Sequence, residues 1–113
     1  MKEGAVIPLG LFGVQANLDE MKSLGAKLRE LANRIPRDEQ RAIVEYLRHG
    51  AIVFAIMEYT RDVLDDAFGV SGGSAILTDG VFYWRRDAAE YVEHYGVGLP
   101  DAFLDRGRSL SWQ

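Results

Sequence analysis

The groups in this chain that could do chemistry are two histidines, a set of carboxylates and two serines in a glycine-rich stretch. His49 closes a helical pattern, where the negative end of the helix dipole suits an imidazolium. His94 lies four residues after Glu90, an ordinary helix-surface pair worth about 0.2–0.5 kcal/mol. Neither histidine has further ligands at metal-binding spacing, so no metal is expected. Acid–base catalysis by paired carboxyls needs two of them close together with pKa values driven apart. Asp65 and Asp66 are adjacent in sequence, but neighbouring positions on a helix do not face each other. Asp79 is used by a turn and Asp87 by a helix cap, while Glu58, Asp62, Asp101 and Asp105 read as solvated surface. Ser71 and Ser74 stand in GVSGGS, which lacks both the strand–turn–helix frame of a nucleophile elbow and the lysine of a phosphate loop. The expectation is a protein that is not an enzyme, with no catalytic residue and no cofactor.

Recognition is the remaining use for these residues. Arg85 and Arg86 follow the aromatic run Phe82-Tyr83-Trp84, and arginine and tryptophan are favoured anchors at interfaces. With Glu58, Asp62, Asp65, Asp66, Glu90 and Glu93 they make up the predicted partner-binding set.

Charge supports that choice. The net charge is −4, with eight Lys/Arg against seven Asp/Glu up to Met57, and five against ten from Glu58 onward. The acidic C-terminal half repels phosphates, so no nucleic-acid partner is expected, and it attracts a basic protein. The 113 residues read as one domain, 1–113, large enough to bury a core. There is no cysteine, which removes disulfides and thiolate chemistry and fits a reducing, cytoplasmic location. The apolar run Ala51–Met57 is far shorter than the roughly 20 residues that span a bilayer, and the opening stretch lacks a signal-peptide pattern, so no membrane is expected.

Periodicity assigns the elements. NLDEMKSLGAKLRELANRI reads as a helix capped by Asn17 with Glu20 in reciprocal position, and with an apolar stripe from Leu18 through Leu28 to Ile35. Pro36 then opens a second helix that buries Ile43, Tyr46 and Leu47 and stops at Gly50, so the two form an antiparallel or sharply angled pair. AIVFAIMEY, apolar on both faces, reads as a central strand. Residues 60–69 admit either a short helix or an irregular crossing, and GVSGGS reads as a flexible link. Asp79-Gly80 signals a two-residue hairpin that would pair Thr78 with Val81, Leu77 with Phe82, Ile76 with Tyr83 and Ala75 with Trp84. Neither face of that ribbon is polar, so both are expected to be covered. Asp87 caps a helix with Glu90, Gly96 ends it, and Pro100 starts a last short helix carrying Phe103 and Leu104. Fraying is expected, if anywhere, at 1–14 and 107–113, with Trp112 able to tuck onto the body. The fold expected is α+β: an N-terminal helical pair, a small antiparallel sheet of about three strands with the Asp-Gly hairpin, and one or two C-terminal helices.

The last third of the chain, LTDGVFYWRRDAAEYVEHYGVGLPDAFL, resembles small bacterial cytosolic proteins of the immunity type, which accompany polymorphic or contact-dependent toxins. The matching positions are Thr78, Asp79, Gly80, Trp84, Tyr91, Val92, Tyr95, Leu99, Pro100 and Phe103. Each has a structural use as turn, core or cap, so the resemblance transfers no catalytic residue. It implies a cytoplasmic protein that neutralises a toxin by occluding it, here through the acidic surface. A structural subunit that forms a homodimer through an apolar sheet face is the alternative, and a ligand-sensing or enzymatic domain with a pocket between sheet and helices is a third reading.

Overall fold

The computed structural model describes residues 7–13, 18–54 and 58–113. The class is α+β, as expected. In chain order the elements are β1 (Ile7–Pro8), a 3₁₀ turn (Gly10–Gly13), α1 (Leu18–Glu30), α2 (Gln40–Arg48), β2 (Ala51–Phe54), β3 (Tyr59–Arg61), β4 (Gly69–Ser71), β5 (Ile76–Thr78), β6 (Phe82–Arg85), α3 (Ala88–Tyr95) and α4 (Asp101–Ser109). The main sheet has four strands in the order β1-β6-β5-β2, and β3 and β4 form a separate ribbon. The sheet is mixed rather than antiparallel, because β1 runs parallel to β6.

The Asp-Gly turn does connect two antiparallel strands, with a register two residues from the expected one. Thr78 pairs with Tyr83, Leu77 with Trp84 and Ile76 with Arg85. A type I′ turn needs positive φ at both central residues, and only Gly80 has it, at 97°. The Asp79 carboxylate instead accepts the N–H groups of Val81 (2.9 Å) and Phe82 (2.8 Å), while the Thr78 hydroxyl donates to the Phe82 carbonyl at 2.6 Å. Those bonds widen the loop. A slip of two residues preserves side-chain alternation, so Phe82 and Trp84 still share a face with Leu77. All three are buried. On the opposite face Ile76 and Arg85 are buried and Tyr83 and Thr78 are half-buried.

The core lies between that first face and the helices. Trp84 is wholly buried and donates its indole N–H to the Leu47 carbonyl at 3.0 Å. Phe103 from α4 sits among Phe82, Trp84, Tyr46 and Trp112, with ring centroids 5.4–5.9 Å away, in the tilted and edge-on range that aromatic pairs favour. Trp112 is thus tucked onto the body. Trp112 lies so close over Gly107 that any Cβ there would fall 2.0 Å from the ring. Near the other end of the chain Leu9 and Phe12 are buried.

Other expectations need amendment. The helical pair exists, but α2 packs chiefly on α3. Residues 36–39 form a turn ahead of α2, which starts at Gln40. The Asn17–Glu20 capping box lies outside the described residues. Strand β2 is an edge, not the centre, of the sheet. Residues 60–69 are not a helix, and 62–68 are irregular. They form the β3–β4 ribbon and its connecting loop, and the end of the supposed flexible link is buried at Gly73 and Ser74.

Candidate functional site

Most carboxylates of the C-terminal half either build the fold or are closed on arginines. Asp62 belongs to the first kind. It was expected at the surface, yet it is 5% exposed, because its carboxylate organises the β3–β4 loop. It accepts the N–H groups of Leu64 at 2.8 Å and Ala67 at 2.8 Å, together with a short hydrogen bond from the Tyr95 hydroxyl. Burial alone would raise its pKa, but the Tyr95 hydroxyl and the backbone donors outweigh burial and hold it below the usual carboxylate range. Tyr95 is pushed up to about 12 by burial and by that bond.

Arg85 was expected to face a partner and is also inside, at 2% exposure. Its guanidinium meets Asp87 through two bonds of 3.0 Å, and Asp87 accepts a third from the Thr60 hydroxyl of β3. This correction displaces a second expectation, since Asp87 at the start of α3 makes no side-chain cap bond. A buried guanidinium requires a fork of acceptors, and the Asp87 carboxylate supplies two of them. Glu90, its supposed capping partner, turns outward.

The exposed members of the predicted set are mostly paired. Asp65 binds Arg29 at 2.9 Å, and Asp66 binds Arg61 at 2.8 Å. Arg48 reaches from α2 to Glu90 at 2.8 Å and Glu93 at 2.5 Å. Glu58 accepts the Ser74 hydroxyl at 2.6 Å. Arg86 is exposed, and its backbone N–H donates to the Ala75 carbonyl. Ligating atoms of Glu90, Glu93 and His94 lie within 4.8 Å of one another, but the Arg48 guanidinium already binds both carboxylates. The structure therefore brings Glu90 and Glu93 together, places Asp65 and Asp66 on one loop, and scatters the rest of the set.

A different surface has no such internal partners. The sheet ends in two unlike edges. At β1 the strand is two residues long, includes Pro8 with no N–H to offer, and runs straight into the 3₁₀ turn. At β2 the outer backbone of Ala51–Phe54 makes no hydrogen bond among the described residues beyond its ladder to β5. That strand carries no charge, and Ile52 and Val53 are 55% and 62% exposed. Val53 is the extra residue of a bulge between Ile52 and Phe54, so it has no opposite number on β5. Ile52 is exposed although its ladder partner Leu77 is buried. Native proteins usually blunt an edge with charge, proline or cover. Here only the bulge does so.

Sequence reasoning missed this edge for a plain reason. An uninterrupted apolar strand reads the same whether both its neighbours are present or one is missing. No family model matches the chain, and no curated protein or solved structure matches it either. Among the described residues no helix is long and apolar enough to cross a membrane.

Proposed function

We propose that this chain is a non-enzymatic binding protein whose docking surface is the β2 edge, and that its occupant is an extended segment of a protein partner added as a further strand. The observation that carries the reading is the exposure of Ile52 and Val53 beside a row of backbone donors and acceptors that no described residue outside the sheet ladder uses. A strand added there answers both deficits together, hydrogen bonding the row and covering the apolar side chains. The ion pairs of Arg29, Arg48 and Arg61 leave the neighbouring acids less charge for a basic partner than their number suggests.

The narrower form of the proposal is an immunity protein that occludes a toxin, and it draws on the resemblance of residues 77–104. It is tested by titrating the chain with the product of the adjacent open reading frame and by growth rescue when the two are co-expressed. The expected result is binding and rescue, both lost in Val53→Lys. Absence of binding overturns the immunity reading, and binding that Val53→Lys leaves intact overturns the β2 edge as its site.

A further inference from the structure

A cavity of about 780 Å³ opens between the 3₁₀ turn, the end of α1, the Gly98–Pro100 segment and α4, within the roughly 300–1,000 Å³ range of small-molecule sites. None of β2's residues lines it. Its apolar lining comes mainly from Leu9, Leu11, Phe12, Leu31, Leu99 and Leu104. Three charged side chains, Arg34, Asp101 and Arg108, complete it. Arg108 is closed on Glu39 through bonds of 2.7–3.1 Å, and Glu39 also accepts the Trp112 indole N–H. Arg34 differs. Its Nε donates to the Glu30 carbonyl at 2.9 Å, and it has no carboxylate partner among the described residues.

The backbone under Arg34 is held firmly. Arg34 and Ile35 both donate to the Gly96 carbonyl, at 3.0 and 3.1 Å, and Gly98 donates to Leu31 at 2.8 Å. Gly98 lets the two segments approach, since a Cβ there would lie 2.9 Å from the Arg34 Cβ. A cation with no counter-ion among the described residues thus stands beside an apolar trough. The remaining carboxylates nearby, Asp101 and the Arg108-bound Glu39, disfavour a second negative charge.

We propose that this cavity binds a monoanionic amphiphile, a medium-chain carboxylate, with its head on the Arg34 guanidinium and its chain along Leu11, Leu31 and Leu104. This site is independent of the β2 edge.

The test is calorimetric titration of the whole chain with dodecanoate, dodecyl phosphate and dodecanol below their aggregation thresholds. The expected order is dodecanoate tightest, with Arg34→Gln weakening it by about tenfold, the worth of one charge-assisted hydrogen bond, and leaving dodecanol unchanged. Arg34 is exposed, so this variant keeps its fold, which an unshifted melting curve verifies. Leu31→Glu is expected to abolish binding of all three. Failure of dodecanoate to bind the unaltered chain overturns the proposal. So does an affinity that Arg34→Gln leaves as it was, or a preference for the phosphate ester.

Discussion

The β3–β4 side of the molecule and the β2 edge make opposite use of their residues. Around β3 and β4 the chain is dense in charge, yet Asp62, Arg85 and Asp87 are buried and Asp65 and Asp66 are held by arginines. At β2 no side chain from Ala51 to Val53 is charged, and all three are exposed. A residue's charge therefore says little about its availability. An ion closed on an internal partner gains little by meeting another molecule, whereas an unpaired strand edge has hydrogen bonds still to make.

The strongest way to break this contrast is at the buried ion pair. Asp87→Ala removes the carboxylate that binds the Arg85 guanidinium at 2% exposure and is expected to cost about 3–5 kcal/mol, seen as a fall in the urea midpoint at unchanged m-value. Joint replacement, Arg85→Met with Asp87→Ala, is expected to recover most of that loss. If the single variant is as stable as the parent, the charged side is not a structural network. Next in size is Tyr95→Phe, which takes a donor from the Asp62 carboxylate and is expected to cost about 1.5–3 kcal/mol in the same assay.

Acid sharpens the comparison. Asp62 and Asp79 both have folded pKa values below those of the unfolded chain. For Asp79, burial raises the value but is outweighed by backbone donors, Tyr46 and Arg106. Their contribution is thus complete above the unfolded carboxylate pKa and is lost as pH falls through the folded values, so stability drops below about pH 4. Asp62→Asn is expected to flatten that drop while lowering stability at pH 7. Glu93→Gln, at a half-exposed ion pair with Arg48, is expected to change stability by less than about 1 kcal/mol. Smallest of all is Val53→Lys, expected to shift stability by under about 0.5 kcal/mol because its side chain already faces water. Its effect belongs to binding.

Helices, turn and caps show how far one-dimensional pattern reaches. The spacing of Ile43 and Leu47, the stop at Gly96 and the helix after Pro100 were all legible, because each depends on contacts within a turn or two of chain. The Asp-Gly loop was legible as a turn but not in register, which the hydrogen bonds of Asp79 and Thr78 set. Asp87 shows the limit of a local rule. Its position suits a cap, but the buried guanidinium two residues earlier competes for the same oxygens and wins. The strands at 59–61 and 69–71 gave no alternation with a buried apolar face, since their residues are exposed or half-exposed.

Of the candidate set, the acids were visible and their employment was not. Nothing in the order of residues places Arg29 beside Asp65 or Arg48 beside Glu93, since those meetings join elements separated by 36 and 45 positions. By itself the amino-acid order determined the class of fold, the helices and the excess of acid in the second half, because propensity, periodicity and composition are properties of neighbours along the chain. Only the tertiary structure decided which charges are closed on partners, which strand lies outermost and where Arg34 stands. Those depend on which distant segments come to rest side by side, and long-range pairing is chosen by the packing of the whole core.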